Sequence, residues 1–112
     1  MNTKENKKSR TTLKALEKIS GRKLTIGSLL GSIREGEEMT QVEFSSLLGV
    51  SKQYLCDLEH DRKTVSAKKA AEFAEKLGYP IAQFVRLALQ EELDRYHIPL
   101  QVELHLMREL AA

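Results

Sequence analysis

Apolar residues recur along most of this chain at intervals of three and four, the spacing that keeps one face of a helix in a core. Leu13, Leu16 and Ile19 begin the series, with Thr12 as a cap and Gly21 as a stop, and predict one short helix. From Thr25 a stronger stripe follows, Ile26, Leu29, Leu30 and Ile33, ended by Gly36. Gly27 and Gly31 on that helix predict close approach to a neighbouring helix. The membrane-dimer use of this spacing is excluded by short, polar flanks. Thr40 with Glu43 three residues on forms a capping box, and Phe44, Leu47 and Leu48 are the expected inner face of the helix it starts. Gly49 supplies a left-handed stop, Val50 turns inward, and Ser51 caps a helix whose Leu55 and Leu58 point to the core. A further helix over residues 66–77 carries Ala70, Phe73, Ala74 and Leu77 inward, with Gly78 after it.

Toward the C-terminus the pattern widens and then changes period. Pro80 opens a fifth helix at a position where a missing N–H costs nothing. Ile81, Phe84, Val85, Leu87, Ala88, Leu89 and Leu93 give it more apolar surface than one stripe needs, so a covering surface is expected. After the Tyr96-His97-Ile98-Pro99 turn, Leu100, Val102, Leu104 and Leu106 alternate with Gln101, Glu103 and His105, the period of a half-buried strand. A lone strand requires a partner, either its own copy in a second subunit or a strand of another protein. The plainer alternative is a tail packed on the fifth helix without pairing. The expected fold is all-α: five helices preceded by a short N-terminal one and followed by a single β-strand that pairs between subunits. Phe84, Leu87, Leu100, Val102, Leu104 and Leu106 are the candidate dimer or partner interface.

Composition narrows the function more by exclusion than by indication. The 112 residues suit one small core, and the lack of Trp beside abundant Leu and Ala favours aliphatic helix packing over a sheet sandwich. A net charge of +2 conceals a division. Residues 1–23 hold eight Lys and Arg against two acidic residues, residues 24–78 seven against nine, and residues 79–112 three against five. The N-terminal segment is therefore either a phosphate-contacting arm or a solvated tail. These bounds divide the chain into a basic arm with a short helix (1–23), a central helical domain (24–78) and a C-terminal helix and strand for dimerisation or partner binding (79–112). The single cysteine, Cys56, excludes an internal disulfide and reads as a small filler before it reads as a redox sensor. No apolar run approaches the roughly 20 residues of a membrane span, and no signal segment opens the chain, so a cytoplasmic protein is expected. His60, His97 and His105 lack the spacing of metal ligands, Glu91, Glu92 and Asp94 read as a solvated helix edge, and no acid, base and nucleophile stand in a recognisable order. A binding protein without catalytic residues, metal or cofactor is the expectation.

Residues 40–63 carry the recognition chemistry. Two short helices broken at Gly49, with polar side chains gathered at the start of the second, are how a protein lays a helix end in the major groove of DNA. Gln53 can pair both hydrogen-bonding atoms with an adenine edge, Lys52 can reach guanine acceptors or a phosphate, and Asp57 can accept from cytosine N4. Tyr54 suits a phosphate or a thymine methyl group. A carboxylate at 57 repels phosphates unless Lys52 or an Arg neutralises it.

These residues resemble the XRE, or Cro/phage-repressor, family of helix-turn-helix regulators across residues 24–78. The resemblance rests on Thr40-Gln41-x-Glu43-Phe44, Leu48-Gly49-Val50-Ser51 and Leu55-x-x-Leu58-Glu59 followed by Arg62-Lys63. It implies that Gln41 touches phosphate, that Ser51, Lys52, Gln53 and Asp57 lie at the DNA with Tyr54, Arg62 and Lys63 beside them, and that Glu59 is structural. Two departures stand out: His60-Asp61 replaces the usual Asn-Gly, and Ser45 replaces Ala. The basic start, wide fifth helix and final strand are also similar in layout to small HigA-type antitoxins. The implied function is a homodimeric repressor of a palindromic operator, an autoregulatory antitoxin with a cognate toxin as partner. A stand-alone phage-type regulator, and a toxin-neutralising interaction module with auxiliary DNA binding, are the alternatives.

Overall fold

The computed structural model describes residues 24–108, and the expected N-terminal helix and basic arm lie outside them. Five helices follow in order: α1 (Ile26–Gly36), α2 (Gln41–Leu48), α3 (Lys52–Glu59), α4 (Ala67–Leu77) and α5 (Ile81–Arg95). Their starts are written in local chemistry. Thr25 accepts from the Ser28 amide while Ser28 accepts from the Thr25 amide, and Thr40 and Glu43 form the same reciprocal pair at α2. Ser51 and Ser66 cap α3 and α4 through their hydroxyl oxygens. Pro80 occupies the cap position of α5 rather than its first turn, and offers no side-chain bond there.

The helices close on one core. α4 runs along α5, α1 and α2 both pack on α3, α2 also meets α4, and α1 touches α5. Phe44, Phe73 and Phe84 are fully buried at its centre with Ile26, Leu29, Leu30, Leu48, Leu55 and Leu58. Gly27 is where α1 and α3 come closest: a Cβ there would overlap the Leu58 carbonyl oxygen, so only glycine permits this crossing. Gly31, the other half of the expected pair, leaves ordinary contact distance to the Glu59 side chain.

Four expectations are corrected. Leu47 is exposed, because the buried stripe of α2 runs through Phe44, Ser45 and Leu48, and the Ser45 hydroxyl is satisfied by donating to the Val42 carbonyl. Phe84 and Leu87 do not face outward toward a partner; they are 0% and 4% exposed inside the chain's own core. Glu91 is no solvated edge residue: it is half-buried and its Oε2 accepts the Ile26 amide at 2.9 Å, satisfying a donor in the first turn of α1. The C-terminal strand is absent among the described residues, so pairing between subunits through it has no support. Here Gln90 holds the segment, its Nε2 donating to the Leu100 carbonyl at 3.0 Å and its Oε1 accepting from the Val102 amide at 2.8 Å. One side-chain amide thus does for this stretch what a neighbouring strand does in a ladder.

No helix among the described residues is long and apolar enough to cross a membrane.

Candidate nucleic-acid interface

Gly49 makes the corner on which the site depends. At φ 75° and ψ 31° it is left-handed, its amide donates to the Ser45 and Ser46 carbonyls, and the Val50 amide closes the turn on the Ser45 carbonyl at 3.0 Å. From α4, Lys76 Nζ donates to the Leu48 carbonyl at 2.8 Å, a cation on the negative end of α2. The corner ends at Ser51, whose Oγ accepts the Tyr54 amide at 3.0 Å and begins α3. Leu55 and Leu58 anchor α3 with almost no exposure, while Ser51, Lys52 and Gln53 are exposed at its start.

Behind this face a polar brace ties the motif together. Glu59 accepts from Arg34 twice, Nε to Oε2 at 2.8 Å and Nη2 to Oε1 at 3.0 Å, and the Arg34 Nη1 donates to the Met39 carbonyl. Such a two-pronged pair is geometrically demanding. Its side chains are 17% and 8% exposed, so α1, the loop before α2 and the end of α3 are joined through a largely desolvated contact. Burial opposes charge on Glu59, but the Arg34 and Gln41 hydrogen bonds outweigh it and hold the carboxyl below its usual range. The expected structural role of Glu59 has this geometry. Arg34 gave no sequence signal, because its partner lies 25 residues away on another helix.

Gln41 sits half-buried at the start of α2 with its Nε2 donating to Glu59 Oε1 at 3.1 Å. Tyr54 is also half-buried, and the Lys63 ammonium lies 5.9 Å from its ring centroid. Asp57 and Arg62 are an ion pair, Nε to Oδ1 at 3.0 Å, and the same Oδ1 accepts from Gln53 Nε2 at 3.1 Å. Arg62 therefore supplies the neutralising charge, and its bond lowers the Asp57 carboxyl from its usual range against a small cost of burial.

The loop after α3 brings Arg62 to this position. Asp61 adopts φ 56°, and its Oδ1 accepts the Thr25 hydroxyl at 2.8 Å, which ties the left-handed residue to the start of α1. The Arg62 amide then donates to the Asp57 carbonyl at 2.8 Å. An aspartate at the position where Gly is usual is accommodated by a tertiary hydrogen bond. His60 and Cys56 add a smaller cluster, with His60 Nδ1 2.8 Å from the Cys56 carbonyl and Arg62 Nη2 3.5 Å from Cys56 Sγ.

Two short helices set about a left-handed glycine, the second presenting its polar start, define a helix-turn-helix unit, the class of fold that seats its second helix in the major groove. Residues 30–84 match the helix-turn-helix family, and the chain is also similar to a phage relative. That relative, an immunity repressor protein of Bacillus phage phi105, is 29% identical over 76 residues, covering 66% of this chain. The match spans 53% of the relative's length. No solved structure gives a significant match.

Proposed function

We propose that this protein is a sequence-specific DNA-binding transcriptional repressor that acts as a dimer on a palindromic operator. The observation that carries the reading is the exposure of Lys52 and Gln53 at the start of α3, while Leu55 and Leu58 pin the helix beneath them. Gln53 and Lys52 read base edges, the Ser51 hydroxyl donates to phosphate while its oxygen caps α3, and Lys63 and Tyr54 flank the groove. Gln41 keeps its carbonyl oxygen for solvent or a bridging water and, with its nitrogen on Glu59, contributes chiefly to orientation. Likeness to a phage immunity repressor supports the regulatory half of the reading. Selection from a random duplex pool, followed by footprinting upstream of the protein's own gene, tests it. Enrichment of a two-part motif with half-sites roughly one helical turn, about 34 Å, apart is expected. Gln53→Ala should lower discrimination at one base pair by about 1–3 kcal/mol, and equal losses on operator and random DNA would reassign Gln53 to the backbone.

An antitoxin role within a toxin–antitoxin operon is the finer reading, with residues 79–112 as the dimer or toxin contact. Support comes from apolar side chains left outside the core after α5: Leu100 is 62% exposed, Leu106 51% and Met107 85%, with Leu104 at 38%. Val102 is half-buried beside them. Deleting the residues after Ile98 should abolish co-purification of a neighbouring gene product or shift sedimentation from dimer to monomer. A truncated protein that keeps both its partner and its mass in solution would remove the tail from the interface. A stand-alone regulator would lose dimerisation alone.

A further inference from the structure

We propose that Asp57 is a positioning residue rather than a base reader: its carboxylate, held by Arg62, sets the polarity of the Gln53 amide that faces the base edges. The inference rests on the DNA-reading assignment of α3 and makes its chemistry specific.

Asp57 lies one turn behind Gln53 on α3, and its side chain is only 16% exposed, whereas Gln53 is exposed. A carboxylate in that recess reaches a base only after leaving two donors. Its Oδ1 is shared between Gln53 Nε2 at 3.1 Å and Arg62 Nε at 3.0 Å. The Arg62 position is itself over-determined: Asp61 turns the chain at positive φ, Thr25 holds Asp61, and the Arg62 amide donates to the Asp57 carbonyl. Carboxylate and guanidinium are thus placed by the backbone of the loop and by α1, before any DNA arrives.

The consequence falls on Gln53. An amide end group offers an acceptor on one side and two donors on the other, and in isolation it turns over freely. An ionised carboxylate only accepts, so only the nitrogen end of Gln53 faces Asp57, and the flipped amide would set oxygen against oxygen. One N–H of Nε2 is spent on Asp57. The carbonyl oxygen and the remaining N–H form a fixed acceptor and donor pair, which matches the N6 donor and N7 acceptor of adenine. Guanine presents two acceptors in the same places and is refused by the carbonyl. A free Gln53 can swing its carbonyl away and offer only its NH2 group to guanine O6 or N7, and so tolerate either purine; Asp57 thus confers selectivity without touching the DNA.

The test is a cycle of variants on the full chain, using duplexes of the selected motif and of each single base-pair change in a half-site. Asp57→Ala should reduce discrimination at the pair read by Gln53 about five- to tenfold, chiefly by admitting guanine. In the Gln53→Ala background the same change should have no further effect on discrimination. Asp57→Asn keeps an acceptor of the same shape but can rotate, so it should lose an intermediate amount, and it covers the case in which Asp57→Ala does not fold. Loss of stability alone weakens binding to every duplex alike and leaves these ratios unmoved. Discrimination lost at a different base pair, or lost equally with and without Gln53, would overturn the proposal and return Asp57 to direct readout. Unchanged ratios in both Asp57 variants would overturn it as well. A wild-type protein that enriches no motif would overturn the sequence-reading assignment of α3 instead, a result distinguishable from the other two.

Discussion

At the scale of single residues, glycine does two different jobs in α1 and only one of them is structural. Gly27 lets the Leu58 carbonyl pass where a side chain would stand, and the colliding atoms are backbone, which cannot rotate away. Gly27→Ala should therefore cost about 3 kcal/mol, the upper end of what overpacking usually costs, because α1 and α3 must separate. Gly36 ends the same helix with nothing within 4 Å of the Cβ it lacks and no positive φ. Gly36→Ala should stabilise the protein by about 0.5 kcal/mol through the unfolded chain and helix propensity. Denaturant unfolding of the two variants measures both effects, and equal destabilisation would mean that the crossing at Gly27 is not the tight contact described. The brace between Arg34 and Glu59 obeys a related logic. Removing Glu59 strands a largely buried guanidinium, so Glu59→Ala should cost about 2–3 kcal/mol, more than an exposed pair would.

At the scale of elements, α5 is fastened to α1 by a carboxylate that dislikes its surroundings. Burial pushes the Glu91 carboxyl up from its usual value, the Ile26 amide pulls it partly back, and the negative charges of Asp61 and Asp94 push it up again against Arg95. An acid whose folded value is raised binds its proton more tightly in the native state, so its contribution to stability is full below the ordinary carboxylate value and is lost as pH rises through the raised one. Glu59, held low by Arg34, has the opposite sign: its contribution is present above the ordinary value and is lost as pH falls through the lowered one. Glu91→Gln keeps an acceptor for Ile26 without the charge. It should raise the melting temperature at pH 7, with the gain vanishing below the ordinary carboxylate range, where wild-type Glu91 is itself neutral. A gain independent of pH would show that burial of charge is not its source. The elements are legible in sequence wherever the determining partners are neighbours: Thr40 with Glu43, Gly49 with the carbonyls before it, and Ser51 with Tyr54. Glu91 and Ile26 are 65 residues apart, and no local pattern joins them. The alternation over residues 100–106 is real, but alternation specifies a strand only where a ladder partner exists. Within one chain the Gln90 amide takes that place instead. Likewise the width of the α5 apolar face does not reveal that the chain's own core takes in Phe84 and Leu87, since periodicity shows which residues are buried together and not by what.

On the scale of the whole molecule, charge and recognition are separated along the chain. Residues 24–78 contain the reading helix yet hold nine acidic residues against seven basic ones. Part of that basic charge is already committed: Arg34 to Glu59, Arg62 to Asp57 and Lys76 to the end of α2. A domain so arranged discriminates between bases better than it grips phosphates, because non-specific affinity grows with the number of phosphates neutralised. The positive excess stands in residues 1–23, with eight Lys and Arg against two Glu. On the proposed reading the two parts divide the work, α3 supplying selectivity and the N-terminal segment supplying counterion release. Deleting residues 1–23 should then flatten the dependence of log affinity on log salt by about 0.9 for each phosphate no longer neutralised, several units if most of the basic side chains engage. Preference for the selected motif over random DNA should stay nearly unchanged, because backbone contacts carry no base information. Titrations of both duplexes across a range of salt concentrations separate these outcomes. An unaltered slope would return the segment to a solvated tail and oblige Lys52 and Lys63 to account for the whole electrostatic attraction.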